Sequence, residues 1–374
     1  VNAATAIPLN DTRPQYEQIK DEVQAAINRV LERSYFILGP EGEAFEAEFA
    51  AYLGVKHAVG VSNGTDAIHI AMRALDLGPG DEVLLPPHTA TFSALGVSMS
   101  GATPTFADCE PSTGNLDPWL VTKAITPRTR AIMPVHLYGQ AADLELMLGA
   151  AAQHGIPLIE DAAQAHGATY HDRKVGTLGI LGCFSFYPTK NLGAYGDGGA
   201  ITTDDSELAQ ILRELRNGGQ RERYNHVRLG VCNRLDELQA AILRVKLPHL
   251  DNWDRARREN ASRYDRLFAG ADLPVRPLAL RDYGDSAMHL YVIRVDASMR
   301  DALIKHLNSR EIMAMVHYPV PVHLQEAYRF LDLGEGSYPL AERLASEIVT
   351  LPMYPELTGE QARAVVEGVR EFFA

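Results

Sequence analysis

One lysine of this chain lies in a segment rich in glycine. Residues 185–200 read SFYPTKNLGAYGDGGA, in which Lys190 follows a short apolar run and precedes four glycines between Gly193 and Gly199. A backbone without side chains can approach a planar group closely. An amine held beside such a backbone is typical of a lysine that forms a Schiff base with a carbonyl compound. An ordinary lysine in a surface loop is the alternative.

Two other polar segments follow predicted strands. The turn Asn63-Gly64-Thr65 comes after the run AVGVS and opens a helix, whose free N–H groups favour a phosphate. Asp161 ends the run IPLIED, and Gln164 would share its side if a helical turn begins there. A simple glycine turn with an N-cap residue, and an aspartate that only caps a helix, are the structural alternatives.

Together these segments predict a site for pyridoxal 5'-phosphate. In an open α/β sheet, ligands bind outside the carboxyl ends of the strands, where Lys190, Asp161 and the turn at 63–65 all fall in the predicted sheet. The cofactor needs an amine for its aldehyde, a carboxylate for its ring nitrogen and a cup for its phosphate. The chain contains neither a Walker A sequence nor a GxGxxG turn, which would indicate a different phosphate ligand.

Residues 60–64 indicate a different chemistry. Their sequence, GVSNG, matches the GxSxG turn that carries the nucleophilic serine of α/β hydrolases. Ser62 would then be the nucleophile. This hypothesis leaves Asp161 and the Lys190 segment without a role, and no HGGG-type oxyanion loop is present.

The elements that would position these residues alternate along the chain from about Val55. Seven short apolar runs, bounded by Gly, Pro or Asp, predict strands: HAVGVS, EVLLPP, PTFADC, RAIMPVHL, IPLIED, CFSFYP and GAITT. Nearly continuous apolar runs are typical of strands covered by helices on both faces. We therefore predict an α/β fold. A large domain, residues 1–249, would hold an N-terminal helix and a mostly parallel seven-stranded sheet, and a smaller α+β domain would span residues 250–374.

Composition argues against several classes of protein. The formal net charge of −13 argues against a nucleic-acid partner, which needs a basic face. No apolar run reaches the ~18 residues of a membrane span, and the first residues lack a signal-peptide pattern. We expect a cytoplasmic protein with no membrane partner. The three cysteines are far apart and form no CxxC pair, so we expect neither a disulfide framework nor a metal site.

Several longer segments resemble the DegT/DnrJ/EryC1/StrS family of pyridoxal-phosphate-dependent sugar aminotransferases. In chain order they are ILGPEGEAFEAEFAAYLG, SNGTDAI, GATPTFAD, VHLYGQAADL, EDAAQAHGA, SFYPTKNLGAYGDGGA, NRLDELQAAIL and HYPVPVH. The resemblance covers nearly the whole chain. It implies the aspartate aminotransferase-like fold type I and a homodimer with active sites at the subunit interface.

The resemblance also implies roles for the residues around the cofactor ring. Lys190 would form the Schiff base and then shuttle protons. The family's dehydrases have histidine at this position, so the lysine here favours transamination. Asp161 would pair with the pyridine nitrogen, and Gln164 would bond the phenolic oxygen. Many members have Phe or Trp after the Thr of the HT motif, where this chain has Ala90. The stacking contact on the ring is therefore in doubt.

Further roles follow from the same resemblance for the phosphate. Gly64 and Thr65 would hold it, helped by Ser185. Asn233 would reach the phosphate of the neighbouring subunit's cofactor, and a helix N-cap before LDELQ is its structural alternative.

The expected reaction moves an amino group from an amino acid, expected to be glutamate, to a ketone of a nucleotide-linked sugar. His317, Tyr318 and His323 of the HYPVPVH segment would line the sugar pocket, with a structural turn as the alternative for each. The segment KNLGAYGDGGA resembles the branch that acts at C-3, whereas C-4 members tend to read SFHxxKxxTTGEGG. We expect a 3-keto-6-deoxyhexose on dTDP. A UDP-linked 3-keto sugar, a 4-keto sugar, and a regulatory protein without turnover are the alternatives.

Overall fold

The computed structural model describes residues 6–374. Its α-helices are α1 (Arg13–Arg33), α2 (Pro40–Leu53), α3 (Gly64–Ala74), α4 (Thr91–Met99), α5 (Pro118–Ala124), α6 (Glu145–His154), α7 (Ser206–Arg216), α8 (Glu237–Lys246), α9 (Leu250–Ala269), α10 (Ala297–Ser309), α11 (Pro339–Glu347) and α12 (Gly359–Phe373). Short 3₁₀ helices span Leu137–Gly139, Leu247–His249, Val322–Leu324 and Glu326–Leu331. The predicted N-terminal helix corresponds to α1.

The strands alternate with these helices through the first half of the chain. They are β1 (His57–Val61), β2 (Glu82–Leu85), β3 (Thr103–Phe106), β4 (Thr129–Ile132), β5 (Ile159–Asp161), β6 (Thr169–Tyr170), β7 (Arg173–Lys174), β8 (Leu181–Ser185), β9 (Gly199–Thr203), β10 (Gln220–Glu222), β11 (Asn225–His226), β12 (Arg276–Pro277), β13 (Tyr291–Arg294) and β14 (Ile348–Leu351). Each of the seven predicted runs overlaps a strand. The hairpins β6–β7 and β10–β11 were not predicted.

The seven predicted strands form two hydrogen-bonded ladders, with orders β1-β9-β8-β5 and β3-β2-β4. Isolated parallel bridges from Ile132 to Leu158 and from Val135 to Asp161 connect the β4 edge to the β5 edge. The pairs β5–β8, β2–β3 and β2–β4 are parallel, whereas β9 is antiparallel to β1 and β8. No crossover helix separates β8 from β9, and antiparallel pairing needs none.

Helices cover both faces of these strands. Successive strand residues point to opposite faces, and Cys183 and Phe184 of β8 accordingly lie in different buried clusters. Phe184 packs in a cluster with Phe45 and Phe49 of α2 and with residues of α6 and α8. Cys183 packs in a cluster with residues of α3, α4 and α7. This layering agrees with the α/β class expected from the apolar runs.

The C-terminal part of the chain has its own sheet and core. Strands β12, β13 and β14 form an antiparallel sheet in that order, and residues of α9, α10 and α12 form one apolar cluster with it. Ile7 forms a bridge with Ile312, and the Met353 N–H donates to the Leu9 carbonyl at 2.9 Å. The start of the described chain therefore pairs with its C-terminal part.

Two structural features are absent from residues 6–374. In that range no helix combines the length and apolar composition of a bilayer span. Nor does any group of three or more His, Cys, Asp or Glu residues there have an arrangement that could hold a metal ion.

Candidate active site

Lys190 lies in the tight loop between β8 and β9. Its N–H donates to the Tyr187 carbonyl at 2.8 Å, and a Cβ on Gly193 would lie only 2.4 Å from the Pro188 carbonyl oxygen. Burial lowers the pKa of the Lys190 amine to about 8, although the Asp161 carboxylate acts in the opposite direction. Because a neutral amine is the nucleophilic form, this environment suits attack on an aldehyde.

Asp161 ends β5 and is buried. Its Oδ2 accepts a hydrogen bond from Ser93 Oγ of α4 at 2.7 Å, and its Oδ1 accepts one from the Ala163 N–H at 3.1 Å. Burial raises the pKa of Asp161, and these hydrogen bonds and the nearby Lys190 oppose that shift. A buried carboxylate of this kind is stabilised by a facing cation, such as a protonated ring nitrogen.

The start of α3 packs directly against the ends of β8 and β9. A Cβ on Gly64 would lie 2.6 Å from Ser185 Cβ, and a Cβ on Gly199 would lie 2.5 Å from the Asn63 carbonyl oxygen. Asn63 is the N-cap, and its Oδ1 accepts a backbone N–H of the first turn at 2.9 Å. The N–H groups of Gly64 and Thr65 have no intrahelical acceptor. The predicted phosphate turn and Ser185 therefore lie together.

Ser62, the nucleophile of the hydrolase hypothesis, is engaged differently. Its hydroxyl donates to Asp66 Oδ2 at 2.6 Å, and Asn63 Nδ2 donates to the same oxygen at 2.7 Å. Across the described chain no histidine forms a hydrogen bond with Ser62. The base that a serine nucleophile needs is thus missing from this site.

Gln164 connects the end of β5 to the HYPVPVH segment. Its Oε1 accepts the Tyr138 N–H at 2.7 Å, and its Nε2 donates to the Tyr318 hydroxyl at 2.9 Å. The Tyr138 hydroxyl donates to the His317 carbonyl and lies 2.8 Å from His88 Nε2. The structure therefore brings Gln164, His317 and Tyr318 together: Gln164 bonds Tyr318 directly, and Tyr138, which sequence reasoning did not single out, connects Gln164 to His317.

His317 lies near Lys190, and Tyr318 lies near Asp161. His317 Nδ1 is 3.0 Å from Thr350 Oγ1. Burial, with a smaller effect of the Lys190 charge, lowers the pKa of His317 to about 4. Burial and the Asp161 charge raise the pKa of Tyr318 to about 12. Both side chains are therefore uncharged near neutral pH and offer hydrogen bonds rather than charge.

His323 has a different environment. Its side chain is 1% exposed, its Nε2 lies 3.0 Å from Glu342 Oε1, and its ring packs edge-on against Tyr338 and tilted against Phe106. A ring enclosed in this way serves packing. Its predicted place in the sugar pocket receives no support from these contacts.

Asn233 lies between α7 and α8 and is half-buried. Its N–H donates to the Arg216 carbonyl at 2.9 Å. The alternative role as a helix N-cap is wrong, because α8 begins at Glu237 and Asp236 holds the N-cap position.

Two further histidines near Lys190 were not predicted as site residues. Burial lowers the pKa of both His166 and His289, and the Lys190 charge lowers both further. His166 lies two residues after Gln164 in the segment EDAAQAHGA, which was a usable signal. His289 precedes β13, far from the other site segments in sequence, and nothing in its surroundings identified it.

The described residues fit pyridoxal phosphate. The fully buried His166 has no hydrogen-bond partner at either ring nitrogen. The space beside Gly64 would be filled by a Cβ, and it lies at the start of a helix whose first N–H groups are free to bind a phosphate. Lys190 and Asp161 supply an amine of lowered pKa and a buried carboxylate, which are the groups that the aldehyde and the ring nitrogen require.

The fold and this constellation define a lysine-dependent enzyme built on an α/β sheet. The family comparison is more specific: the chain belongs to the DegT/DnrJ/EryC1/StrS aminotransferase family, whose model matches residues 17–370. It is therefore an aminotransferase, and the expected family resemblance is confirmed. The hydrolase hypothesis is wrong.

Three relatives show the range of names within this family. The chain is 48% identical over 366 residues to the dTDP-3-amino-3,4,6-trideoxy-alpha-D-glucose transaminase of Streptomyces venezuelae, covering 98% of this chain and 96% of that protein. It is also 48% identical, over 98% of each chain, to a protein of Geobacillus stearothermophilus named pleiotropic regulatory protein. It is 43% identical, again over 98% of each chain, to the UDP-N-acetyl-3-dehydro-alpha-D-glucosamine 3-aminotransferase of Acidithiobacillus ferrooxidans.

Two solved structures resemble the fold closely. DesV from S. venezuelae, in complex with a ketimine intermediate, is 48% identical and superposes with a TM-score of 0.95 over 98% of both chains. NtdA from Bacillus subtilis, with bound cofactor PMP, is 32% identical with a TM-score of 0.89, over 95% of this chain and 82% of that one. The chain shares the fold of these aminotransferases.

Proposed function

We propose that this enzyme transfers the amino group of an amino acid, L-glutamate, to the C-3 ketone of a dTDP-linked keto-deoxysugar, with pyridoxal 5'-phosphate as cofactor. The main support for this proposal is the 48% identity, over 98% of the chain, to a transaminase named for a dTDP-3-amino sugar. The pair Lys190 and Asp161 supports the same conclusion, because this reaction needs both an amine and a buried carboxylate.

The residues around the ring have separate tasks. When bound, pyridoxal phosphate supplies an aldehyde for the amino group and a ring that withdraws electrons from the reacting carbon. Asp161 holds a proton at the ring nitrogen through its negative charge. The Nζ of Lys190 takes a proton from the substrate carbon and later gives one back. A pKa of about 8 suits this group to both steps. Gln164 donates from Nε2, which lies against Tyr318, and so orients the ring.

The phosphate is held by backbone and hydroxyl groups. The N–H groups of Gly64 and Thr65 at the start of α3 and the Ser185 hydroxyl supply donors. Asn233 supplies an amide from the second subunit of a homodimer. The dimer is supported by large apolar side chains that are exposed in the single chain, among them Phe92 (65%), Tyr224 (79%) and Leu229 (86%).

The sugar pocket is formed with His317 and Tyr318. Their uncharged state and their contacts with Thr350 and Gln164 support a role in positioning hydroxyl groups of the sugar. His323 remains a predicted pocket residue, and its enclosure beside Glu342 supports a packing role instead.

The choice of nucleotide and of the carbon that carries the ketone is supported by the names of relatives, not by contacts in the site. A UDP-linked 3-keto sugar is the second candidate, because a relative at 43% identity is named for one. A C-4 ketone is supported only by membership of the family. A regulatory role without turnover is supported by the name of one relative, pleiotropic regulatory protein. The presence of both Lys190 and Asp161 argues against that role.

The remaining predictions concern architecture and location. The aspartate aminotransferase-like fold type I is supported by the close fit to DesV. The division into domains at 1–249 and 250–374 is supported by the separate C-terminal cluster of α9, α10 and α12, although Ile7 and Leu9 pair with that part. A cytoplasmic location stays a prediction.

One spectroscopic experiment tests the proposal. The purified enzyme is converted to its pyridoxamine form with glutamate, and dTDP-linked 3-keto and 4-keto sugars are then offered separately. Return of the visible chromophore with the 3-keto sugar alone is the expected result. Return with the 4-keto sugar alone would mean that the enzyme is a sugar aminotransferase that acts at C-4 rather than at C-3. A UDP-linked 3-keto sugar, offered in the same way, tests the choice of nucleotide.

A further inference from the structure

The residue after the reactive lysine is unusually well bonded. Asn191 is 2% exposed, and its side chain makes three hydrogen bonds to distant parts of the chain. Nδ2 donates to Asp254 Oδ1 at 2.8 Å and to the Ala287 carbonyl at 2.7 Å. Oδ1 lies 3.0 Å from His289 Nδ1. Both polar ends of the amide are therefore bonded, in the loop that carries Lys190.

The partners fix the orientation of this amide. The Ala287 carbonyl only accepts hydrogen bonds, so the NH₂ group must point towards it, and the oxygen of Asn191 must face His289. His289 Nδ1 then carries the proton and donates it. Burial lowers the pKa of His289 well below its usual value, which agrees with a neutral ring in this tautomer.

Asp254 of α9 is itself held in place. It is 1% exposed, and a Cβ on Gly167 would lie 2.2 Å from its Oδ2, which has no hydrogen-bond partner. Burial raises the pKa of Asp254 to about 7, while Asn191 and the charges of Arg257 and Arg258 oppose that shift. Gly167 lies against one carboxylate oxygen and Asn191 donates to the other, so Asp254 is held in place as the acceptor for Asn191.

A second buried side chain holds the same loop two residues later. Lys246 of α8 is 1% exposed, and its Nζ donates to the Gly193 carbonyl at 2.5 Å. The loop that follows Lys190 is thus held from α9 through Asn191 and from α8 through Gly193.

We propose that Asn191, held by Asp254 and His289, is the positioning residue of Lys190. It fixes the backbone from which the reactive amine extends. The lysine side chain has several rotatable bonds, and movement of its Cα would add to the spread of positions that its Nζ can take. Misplacement of a reacting group by about 1 Å costs on the order of 100-fold in rate. The proposal rests on the aminotransferase reaction, which the family establishes.

The test compares Asn191→Ala with Asn260→Ala in the holoenzyme. Asn260 is a second buried asparagine, on α9, and its Nδ2 also donates to backbone carbonyls, those of Tyr354 and Pro355 at 3.0 and 3.2 Å. Its bonds do not involve the Lys190 loop. Each variant is characterised by kcat, by KM for glutamate, by thermal midpoint, and by the pH midpoint of the visible absorbance that reports protonation at the Lys190 linkage to the cofactor.

Asn191→Ala is expected to lower kcat about 10- to 100-fold and to shift the pH midpoint by roughly half a unit or more, with little change in KM. Asn260→Ala is expected to lower the thermal midpoint and to leave kcat and the pH midpoint as in the wild type. Asp254→Asn keeps an acceptor oxygen for Asn191, so it should retain much more activity than Asp254→Ala.

Equal loss of thermal stability in Asn191→Ala and Asn260→Ala, with kcat and the pH midpoint unchanged in both, would overturn the proposal. If Asn191→Ala does not fold, the pair Asp254→Ala and Asp254→Asn decides by the same measurements. A failure of the 3-keto substrate assignment leaves this test intact, because the half-reaction in which glutamate passes its amino group to the cofactor needs no sugar. Its single-turnover rate constant is then compared between the variants in place of kcat.

Discussion

Ser93 Oγ donates a hydrogen bond of 2.7 Å to Oδ2 of Asp161, from helix α4 to the end of strand β5. The other carboxylate oxygen accepts the Ala163 N–H. Asp161 thus has one donor at each oxygen within a buried environment that raises its pKa. These donors favour the ionised form, which is the form that can hold a proton at a ring nitrogen.

Ser93→Ala should therefore reduce activity without changing the fold. Loss of the donor raises the pKa of Asp161 further and weakens its hold on the ring. A hydrogen bond to a charged group contributes about 1.5–3 kcal/mol, so kcat should fall roughly tenfold or more. The measurement is kcat with glutamate as donor. Ser98→Ala on the same helix is the matched control, because Ser98 contacts Tyr328 rather than Asp161, and an equal effect of both changes would contradict the prediction.

Asp161→Asn should stabilise the cofactor-free protein while weakening cofactor binding. Because the folded-state pKa of Asp161 is raised, the unfolded chain releases the Asp161 proton at a lower pH than the folded chain does. The ionised carboxylate therefore reduces the stability of the fold at pH values above the unfolded pKa. The thermal midpoint of the cofactor-free variant should exceed that of the wild type at about pH 8, and the difference should shrink towards about pH 4. A variant that is less stable at both pH values would show that the carboxylate stabilises the fold.

Sequence reasoning identified the site residues whose chemistry is visible in one segment. Lys190 among glycines and Asp161 at the end of an apolar run are local patterns, and helix α3 begins at Gly64, inside the turn from which a helix was expected. Ser93 carried no such signal, because its role depends on α4 packing beside β5. Asn191 stood in the quoted segment, yet its partner Asp254 is 63 residues away.

The fold was predictable to a similar depth. Continuous apolar runs predicted all seven strands, because a strand buried on both faces has apolar side chains at consecutive positions. The antiparallel pairing of β9 depends on contacts between strands, which no single run shows. The strand β14 was missed, and the pairing of Ile7 with Ile312 joins parts of the chain that no local pattern relates.

His323→Ala and His317→Ala should separate packing from substrate contact. His323 is enclosed by Phe106, Tyr338 and Glu342, so its loss should lower the free energy of unfolding by about 2 kcal/mol and leave KM for the sugar unchanged. His317→Ala should raise KM for the sugar about tenfold with a smaller effect on stability. The measurements are urea unfolding and sugar kinetics on both variants, and a raised KM in His323→Ala would restore that residue to the pocket.

Lys246→Met should change how stability depends on pH. Burial lowers the pKa of Lys246 to about 7, with the charge of Glu356 opposing the shift, whereas an unfolded lysine titrates near ~10.4. Between these values the unfolded chain binds more protons than the folded one, so this residue makes stability rise with pH. Methionine leaves the Gly193 carbonyl unbonded and lowers stability throughout.

The diagnostic quantity is the difference in free energy of unfolding between Lys246→Met and the wild type, measured in urea at about pH 7 and about pH 9. Titrations elsewhere in the chain cancel in that difference. The wild type should gain on the variant as the pH rises, because only the wild type contains a buried amine that becomes neutral in this range. An identical difference at both pH values would mean that Lys246 stays charged in the fold, and the donated hydrogen bond to Gly193 would then be that of an ammonium group.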